Sequence, residues 1–600
     1  MPKKYNEVSV IDVFAGPGGL GEGFSSCDNS PFKIKVSVEF EAHAHKTLTL
    51  RSLYRKLTDE EKQQYYIPYI QSINETQKKL RFKNMISANG ISEKWQEAQH
   101  ETLGSPHALG NNKEWAKIKA GKIPTSEDLL PTEQEERIYQ RITEVREEAR
   151  RNGNPIVLIG GPPCQAYSVN GRNRIRAEKN YKPENDERFF LYQEYLKVID
   201  TAEPDIFVME NVEGILSAKL ATGELIFNKI KEEIKRKDTD GVAKYHIYSL
   251  VTPPEPVQNS LNEPKYKADN DYVINASQFG IPQARKRVIL LGVRADFGQV
   301  EAILPKKYKT PSAGELISDL PKLRSMLSKR SGITDTEDNW QSIWYNNIEK
   351  LRTILSDEKE IQKVAERFAR SVQASKPSLS KKDLLDILVK RKNEVQSAYQ
   401  KIISQLNELK QLGGNEYPAG NQFFLKSQTG STEPLKNKSP ELHDWLIRDI
   451  GGVTNHMTRG HMKEDLLRYM FSALWTRTHA DKPSPFPKSK DYPPALSPEH
   501  KNWESGHQAD RFRAIGADMI PLTITSHLRK DGHAQIHFDP LQNRSMTVRE
   551  AARIQTFPDD YYFEGPQGWQ YQQVGNAVPP FLAKQIAEKV IDILSSKKLL

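Results

Sequence analysis

Short apolar runs alternate with helix-patterned polar segments in the first part of the chain. The runs with the length and content of buried strands are Val8–Phe14, Ile34–Val38, Ile156–Ile159, Ile206–Met209 and Arg287–Val293. Strands that alternate with helices predict an α/β sheet covered by helices on both faces. Open sheets of this class bind ligands beyond the carboxyl ends of their strands. Glycines, acids and a cysteine follow these ends, so we expect them to converge on one crevice.

Helical periodicity predicts further elements. An amphipathic face runs from Ile138 to Ala149, and a final docking helix is predicted over Leu582–Leu594. The region of about 300 to 535 is helical, highly charged and broken by prolines. Within it, apolar residues recur at seven-residue spacing, at Leu388, Val395, Ile402 and Leu409. This spacing, which Gly413 stops, predicts a helical hairpin or short coiled coil; a packing helix without a partner is the simpler alternative.

Composition narrows the class of protein without identifying it. The 600 residues contain 87 Lys and Arg against 78 Asp and Glu, so the net charge is +9. A basic balance favours polyanionic partners, although a solvated basic surface would have the same composition. Two cysteines cannot form a disulfide framework or a cysteine zinc site, which favours a reducing cytoplasm. No apolar run approaches the roughly 18 residues needed to cross a membrane, and the basic N-terminus lacks an apolar signal region.

One of the two cysteines, Cys164, lies in an unusual setting. It follows the run Ile156–Ile159 in the sequence Gly160-Gly161-Pro162-Pro163-Cys164-Gln165. Two glycines and two prolines break the strand and force a rigid turn. A thiol at the tip of such a turn is presented to solvent or ligand, which suits a nucleophile.

A glycine-rich turn follows the first strand, with the sequence Phe14-Ala15-Gly16-Pro17-Gly18-Gly19. It either lets the backbone approach a ligand closely or serves only as a tight strand-to-helix connection. Glu39 favours the ligand, because an acid at the end of the second strand can bind both hydroxyls of a ribose. No phosphate-binding lysine follows the glycines, which argues against a P-loop. We therefore predict an adenosine-containing cofactor, either a dinucleotide or S-adenosylmethionine.

Charged residues also lie at the ends of two later strands. We expect Glu210, at the end of a neighbouring strand, to lie within reach of Cys164, where it could deliver a proton, whereas a lone Glu at a strand end would be a cap or a solvated charge. The sequence Gln283-Ala284-Arg285-Lys286-Arg287 places two guanidiniums on one face of an extended segment. Such a pair suits a phosphate or a carbonyl oxygen; the alternative is an edge strand with a basic face.

Together these segments resemble the DNA cytosine-5 methyltransferases of the bacterial restriction-modification type. The matching stretches follow the family's order and lie within residues 1–300 and 540–600. They are Asp12–Gly19, Gly161–Ser168, Asp186–Arg188, Glu210–Val212, Gln283–Arg287, Thr547–Gln555 and Gly575–Val578. The resemblance implies an α/β, Rossmann-like S-adenosylmethionine-dependent methyltransferase domain with a large inserted target-recognition domain.

The resemblance also divides the chain. Residues 1–299 would form the catalytic domain, with a helical insertion at about 45–150. Residues 300–535 would form the target-recognition domain with its own helical insertion, and residues 536–600 would return to the catalytic domain. One element departs from the family: the acid that contacts adenine has only Gly121-Lys122-Ile123 as its nearest match, with Lys where Asp is expected. No adenine-contacting acid is assigned.

The resemblance implies a role for each matching residue. Cys164 would attack C6 of cytosine, Glu210 would hold N3 and protonate it, and Arg287 would contact the base oxygen. Arg285 belongs to the same catalytic set, with a role that is either structural or directed at a phosphate. The residues implied to bind S-adenosylmethionine, with Phe40 near the adenine and Asn576 near the methionine end, are Phe14, Gly16, Gly18, Glu39, Phe40, Pro163 and Asn576. The candidates for DNA contact are Gln165, Ser168, Ser526, Arg529 and Lys530.

Organic chemistry accounts for this set of residues. C5 of cytosine is a poor nucleophile until a thiolate adds to C6, after which it can take a methyl group from a sulfonium and leave S-adenosylhomocysteine. A base inside a duplex is out of reach, so the cytosine must flip into the crevice. The implied partners are double-stranded DNA and a functionally paired restriction endonuclease. We expect a cytoplasmic monomer with no metal and no membrane association.

Other functions fit part of the sequence. Some proteins of this fold methylate cytosine in tRNA, although the long inserted domain favours duplex DNA. A non-catalytic DNA-binding relative would have lost Cys164, Glu210 or Arg287, and a nicotinamide oxidoreductase would leave Cys164 and Glu210 unexplained. The histidines of Asn455–His461 could suggest a metal, but no cysteine or suitably spaced acid accompanies them, which favours structural or DNA-facing roles. The segment Thr523–His533 resembles the family's domain junction, with an ordinary polar hairpin as the alternative.

Overall fold

The computed structural model describes residues 7–600 apart from 28, 105–132, 163–190, 220–222, 238, 240, 257–262, 415, 500–502 and 504–510. Within the described ranges, no helix has both the length and the apolar character needed to cross a membrane.

A mixed sheet organises the first part of the chain. Its strands are β1 (Val8–Val13), β2 (Phe32–Val38), β3 (Thr102–Leu103), β4 (Ile156–Gly160), β5 (Ile206–Val212), β6 (Tyr245–Tyr248), β7 (Val273–Asn275) and β8 (Lys286–Arg294). The strand order is β3-β2-β1-β4-β5-β8-β6, and β7 also pairs with β8. Neighbours from β3 to β5 are parallel, whereas β8 is antiparallel to β5, β6 and β7. The predicted α/β sheet is confirmed, and the carboxyl ends of β1, β2, β4 and β5 meet at one edge.

Alternating side chains bury both faces of this sheet. In β1, Val8 and Val10 belong to one hydrophobic core, and Ile11 and Val13 belong to the other. The side chains of both cores are almost inaccessible to solvent. Other elements must therefore cover each face of the sheet, as the alternating pattern predicts.

Helices flank the strands of the sheet and the segment inserted after β2. They are α1 (Gly19–Ser25), α2 (Ala42–Lys56), α3 (Asp59–Glu61), α4 (Ile67–Ile70), α5 (Glu75–Ile86), α6 (Ile91–Glu101), α7 (Glu133–Asn152), α8 (Leu191–Ala202) and α9 (Ile226–Ile234). The buried positions of α7 include Ile138, Ile142, Val145 and Ala149, which confirms the predicted amphipathic helix.

The middle of the chain is mainly helical. Its helices are α10 (Ala313–Ile317), α11 (Glu337–Ser356), α12 (Glu358–Ser375), α13 (Lys381–Leu412), α14 (Glu433–Lys438), α15 (Pro440–Leu446) and α16 (Lys463–Thr478). Its short strands are β9 (Met326–Leu327), β10 (Gly420–Leu425), β11 (Gly452–Met457) and β12 (Gly460–His461). β10 and β11 form an antiparallel pair, and β12 pairs with β9 in parallel.

The predicted seven-residue repeat forms one long helix. α13 ends before Gly413, as predicted, and it packs against α11, α12 and α16 in a core of its own. Val395, Ile402 and Leu409 are buried there, whereas Leu388 is only half-buried. The repeat therefore marks the buried seam of a helical bundle over the second half of α13.

The C-terminal segment returns to the sheet. Its helices are α17 (Val548–Ile554), α18 (Gln567–Asn576) and α19 (Pro580–Ser596). α19 lies against α1 so closely that a β-carbon at Gly23 would be 2.4 Å from Cβ of Ala583. Its buried residues include Leu582, Ile586, Val590 and Leu594, which confirms the predicted docking helix. The domain boundaries at 299/300 and 535/536 stay predictions.

Candidate active site

The turn after β1, residues 14–19, is called the cofactor loop below. Phe14, Gly16 and Gly18 all have left-handed backbone conformations, with φ of 55°, 58° and 100°. For a bulky residue such as Phe14 this conformation is strained by about 1–3 kcal/mol, and strain of this kind concentrates at functional sites. Gly18 also has no room for a side chain, since a β-carbon there would lie 2.9 Å from Leu48. The loop therefore has a backbone conformation that favours glycine at positions 16 and 18.

Glu39 directly follows β2, and its side chain is hydrogen-bonded to this loop. Its Oε2 accepts a hydrogen bond from the Gly16 N–H at 2.7 Å, and its Oε1 accepts one from the Glu41 N–H at 2.6 Å. Burial raises the pKa of Glu39 to about 7, although the two N–H donors lower it in part. Each carboxylate oxygen keeps a second lone pair that a ribose hydroxyl could use.

Phe40, the next residue, has an exposed ring. Its side chain is 58% accessible, the most exposed position that borders Glu39. A solvent-facing aromatic ring beside an acid whose oxygens could accept ribose hydroxyls is a surface on which an adenine could stack. The arrangement fits an adenosine-containing cofactor.

The edge strand β3 completes this side of the site. Ser37 and Val38 pair with Thr102 and Leu103, and the Glu39 N–H donates to the Leu103 carbonyl at 3.0 Å. Residues inserted after α2 thus return to the sheet edge beside Glu39. The residue that follows β3 is Gly104, with φ of 127°. Gly121-Lys122-Ile123, the nearest sequence match to the adenine-contacting element, lies outside the described residues.

The turn that leads to the predicted nucleophile begins beside Glu210. A β-carbon at Gly160 would lie 2.5 Å from the Val13 carbonyl, and one at Gly161 would lie 3.1 Å from Oε2 of Glu210. Glycine at these positions lets the end of β4 lie against both neighbouring strands. Pro163, Cys164, Gln165 and Ser168 lie outside the described residues, so their predicted roles stay predictions.

Glu210 and Arg287 form an ion pair across β5 and β8. In the antiparallel register Val212 faces Arg287. Nε of Arg287 lies 2.7 Å from Oε1 of Glu210, and their side chains are 17% and 12% accessible. The predicted acid and guanidinium are therefore together, at the edge where β4 ends.

Arg285 has a different environment. It is fully buried, and its Nη1 donates to the carbonyls of Ile524 at 3.0 Å and Gly575 at 3.4 Å. Burial lowers the pKa of Arg285, and the nearby Arg287 lowers it further. Gln283 is equally buried and donates to the Ile554 carbonyl at 3.1 Å. These contacts favour a structural role for Arg285, which joins the sheet to the C-terminal segment.

The remaining predicted site residues lie near the end of α18. Asn576 is exposed at the last position of that helix, and Gly575 approaches residue 526 so closely that a β-carbon would be 2.3 Å from the Ser526 N–H nitrogen. Ser526 is half-buried, while Arg529 and Lys530 are exposed. Ser526 therefore lies beside Gly575, the residue before Asn576, which is predicted to lie near the methionine end of the cofactor.

Arg529 is held by protein contacts. Its guanidinium carbon lies 3.4 Å from the centroid of the Trp569 ring, and its Nη1 donates to Oε1 of Gln572 at 2.6 Å. Lys530 has no ion pair within the described part of the chain. Of the two predicted phosphate contacts, Lys530 is therefore the cation without an ion pair among the described residues, and it could bind a phosphate.

The histidines of 455–461 have structural contacts. Nδ1 of His456 is 2.9 Å from Oγ1 of Thr547, and its Nε2 is 2.8 Å from the Pro321 carbonyl. Burial lowers the pKa of His456 to about 4, so the ring is neutral near pH 7. His461 is likewise buried and contacts Ser545 at 3.0 Å. The two rings join the middle region to the segment that begins α17.

Two completely buried residues next to the cofactor loop were not predicted from the sequence. Asp12 is completely buried, and neither carboxylate oxygen has a hydrogen-bond partner among the described residues. Burial raises its pKa to about 8, although Arg55 opposes that shift. Tyr561 is also completely buried, and its hydroxyl donates to the Pro17 carbonyl. Asp12 lies inside a motif already noted, whereas nothing in the sequence places Tyr561 beside Pro17.

Comparison with known proteins gives consistent matches. The family model described as C-5 cytosine-specific DNA methylase matches residues 127–592. Type II methyltransferase M.Bpa9945I of Bacillus paralicheniformis is 30% identical over 98% of this chain and 99% of its own length. Type II methyltransferase M.AgeI of Thalassovita gelatinovora is 25% identical over 73% of this chain and 83% of its own. DNA (cytosine-5-)-methyltransferase M.ApeKI of Aeropyrum pernix is 24% identical over 73% and 82% of the two chains.

Proposed function

This chain belongs to the C-5 cytosine-specific DNA methylase family, and from that premise we propose how it acts. It transfers a methyl group from S-adenosylmethionine to C5 of a flipped cytosine in a specific sequence of duplex DNA. The reaction passes through a covalent bond between Cys164 and C6 of the base.

The observation that carries this proposal is the Glu210–Arg287 pair. It lies at the sheet edge that also holds the cofactor loop and Glu39, and a β-carbon at Gly161, three residues before Cys164 in the sequence, would lie 3.1 Å from Oε2 of Glu210. A cytosine offers N3 and O2 on one edge. A carboxyl group and a guanidinium side by side can donate to these two atoms together.

Residues of this chain carry out the addition to C6, the protonation of N3 and the binding of O2. The Cys164 thiolate adds to C6 while Glu210 supplies a proton to N3, so that the electron density moves to C5. Bound S-adenosylmethionine supplies an electrophilic methyl group that C5 takes. A base then removes the C5 proton, the C6–S bond breaks, and N3 returns its proton to Glu210. Arg287 holds the base through O2 during both proton transfers.

The described residues fit the proposed cofactor. Glu39 presents carboxylate lone pairs for a ribose diol, Phe40 presents an exposed ring, and the left-handed loop around Gly16 and Gly18 leaves backbone close to any ligand there. Asn576 is exposed at the last position of α18. We propose that Phe14, Gly16, Gly18, Glu39, Phe40, Pro163 and Asn576 bind S-adenosylmethionine.

The biological role is proposed from the relatives. Two of the similar proteins are named type II methyltransferases. We propose that this protein likewise methylates host DNA in the bacterial cytoplasm and thereby protects it from a paired restriction endonuclease. We also propose that it acts as a monomer, with its DNA site set by the region of 300–535.

Replacement of the nucleophile tests the mechanism. Cys164→Ser should abolish methyl transfer to DNA and leave the Kd for S-adenosylmethionine unchanged, because the thiol acts on the base and not on the cofactor. Cys27→Ser is the matched control, since Cys27 is buried just after the end of α1, where its thiol donates to the Phe24 carbonyl at 3.4 Å. Full activity in the Cys164 variant would overturn the covalent mechanism.

A further inference from the structure

A short segment after α17 connects the cofactor loop with the middle region. Residues 561–564 are called the bridge segment below. At one end, the Tyr561 hydroxyl donates to the Pro17 carbonyl, and it would lie 3.0 Å from a β-carbon at Gly18. Further along, the Glu564 N–H donates to Oγ1 of Thr47 on α2 at 2.8 Å. The bridge segment therefore contacts both the cofactor loop and α2, the helix whose Leu48 lies against Gly18.

The same segment is fixed to β11. Oδ1 of Asn455 accepts from the Phe563 N–H at 3.1 Å, and Nδ2 of Asn455 donates to the Phe563 carbonyl at 3.2 Å. Arg549 adds a second link, because its Nη2 donates to the Tyr561 carbonyl at 2.8 Å and to Oγ1 of Thr454 at 3.0 Å. The position of the Tyr561 backbone is thus set by the middle region.

The Tyr561 ring is buried and packed against three side chains. It lies 4.7 Å from the Phe557 ring and 5.5 Å from the Phe563 ring, measured between centroids, and the Arg51 guanidinium carbon lies 4.7 Å from its face. Arg51 is held in turn by the Glu22 carboxylate of α1, with Nε 2.8 Å from Oε2. Burial raises the pKa of the Tyr561 hydroxyl, so it remains a donor across the physiological range.

The loop needs such a restraint. Gly16 and Gly18 have left-handed conformations, and glycine has more backbone freedom than any other residue. Within the loop the Gly18 N–H donates to the Ala15 carbonyl at 3.0 Å. Glu39 already accepts from the Gly16 N–H; Pro17, the next residue, has no N–H, so at that position only the carbonyl can be held by a hydrogen bond.

We propose that Tyr561 is a positioning residue for the cofactor loop: its hydroxyl holds the Pro17 carbonyl and keeps the loop in the conformation that binds S-adenosylmethionine. This inference rests on the proposed function, because it assigns the loop to that ligand. Tyr561 acts through Pro17 and does not touch the reacting atoms. Its loss therefore weakens cofactor binding and leaves the chemical step intact.

The test compares Tyr561→Phe with Tyr399→Phe in the full-length protein. The Tyr399 hydroxyl is as deeply buried and also donates to a backbone carbonyl, that of Asp491 at 3.0 Å, but it lies within the helical bundle of the middle region. Both variants lose one buried hydrogen bond, so their thermal stabilities should fall alike. Calorimetric titration with S-adenosylmethionine then separates positioning from stability.

For Tyr561→Phe we expect the Kd and KM for S-adenosylmethionine to rise about tenfold, with kcat within about twofold of wild type. Tyr399→Phe should keep the wild-type Kd. Replacement of Tyr561 by 4-aminophenylalanine, whose amino group can donate to Pro17, should restore the Kd. If Tyr561→Phe does not fold, the inference is tested by the Kd of the 4-aminophenylalanine variant. A wild-type Kd is expected, and a raised Kd would contradict the inference.

Two results would overturn the inference: an unchanged Kd in Tyr561→Phe, or a Kd that stays raised when the donor is restored. A wild-type protein that binds S-adenosylmethionine but never methylates cytosine would instead overturn the proposed function. The two failures are distinguishable, since the first is read in cofactor binding and the second in the methylated product.

Discussion

Arg287 lies against Glu210 across two antiparallel strands, with Nε 2.7 Å from Oε1. The pair spans β5 and β8, so the antiparallel ladder of these strands sets the backbone positions of both residues. In the proposed mechanism this carboxyl group meets N3 of the base, and its contact with Arg287 would orient it before DNA binds, which is the preorganisation that catalysis requires.

Removal of Arg287 should therefore damage the chemistry and spare the cofactor. We expect Arg287→Ala to lower kcat for methyl transfer by about 10²-fold, the usual effect of one lost preorganised donor, with the Kd for S-adenosylmethionine unchanged. Lys286→Ala is the matched control, because Lys286 is the exposed neighbouring cation on the same strand. An equal loss of kcat in both variants would show that general charge, and not the pair, matters.

Cofactor affinity should depend on the protonation of Glu39. Its pKa is raised to about 7, so the carboxylate needed to accept ribose hydroxyls disappears as the pH falls through 7. The Kd for S-adenosylmethionine should rise by up to about tenfold for each pH unit below 7 and level off above it. Calorimetric titrations from pH 5.5 to 8.5 would measure this, and Glu39→Gln should bind weakly with little dependence on pH. A flat profile in the wild type would contradict the proposed role of Glu39.

Asp12 should make the protein less stable as the pH rises. Its folded-state pKa is about 8 against an ordinary value of 3.8. The unfolded chain therefore releases the proton first, and this group's contribution to stability is full below about pH 4 and is lost between there and pH 8. Asp12→Asn should gain free energy of unfolding relative to wild type by up to about 1.4 kcal/mol per pH unit across that window.

Denaturant titrations at several pH values would check this, with Asp205→Asn as the control. Asp205 is also buried, but it pairs with Arg294 at 2.8 Å and accepts the Ile156 N–H at 2.8 Å, so its loss should destabilise the protein. An Asp12→Asn variant that is less stable than wild type at pH 8 would mean that the carboxylate has a favourable partner in the folded state.

Lys530 should contribute to DNA binding through a phosphate. Because it is exposed and carries no ion pair within the described ranges, Lys530→Ala should weaken binding similarly for all DNA sequences and reduce the slope of log K against log salt by about 1. Lys33→Ala should leave that slope unchanged, because Lys33 is exposed near the amino end of β2, away from the site. Equal slopes for wild type and Lys530→Ala would remove Lys530 from the DNA interface.

The sequence predicted those features of the site that follow from strand ends. Glu39 and Glu210 directly follow or end apolar runs, and parallel pairing of β2, β1, β4 and β5 then brings them to one edge. The strand β3 was not predicted, since two residues carry no periodicity and its pairing depends on the whole insertion that precedes it. Tyr561 was not predicted because its contact with Pro17 spans 544 residues of chain, and no local pattern encodes so distant a partner.

Arg285 and Arg287 show the limit of spacing as evidence. The sequence predicts that both lie on one face of an extended segment, whereas in the structure Arg285 is buried against the carbonyls of Ile524 and Gly575 and Arg287 pairs with Glu210. The difference arises from segments far along the chain that cover only the first of them. Alternation fixes the side of a strand on which a residue lies, but tertiary packing decides what it meets there.

The central claim is methyl transfer to C5 of cytosine in duplex DNA. Purified protein should be incubated with S-adenosylmethionine labelled in its methyl group and with unmethylated genomic DNA, and the labelled nucleosides then separated after digestion. We expect the label in 5-methyldeoxycytidine alone, and no label with Cys164→Ser. Label in another methylated base, label in tRNA supplied in place of DNA, or undiminished labelling by the Cys164 variant would contradict it.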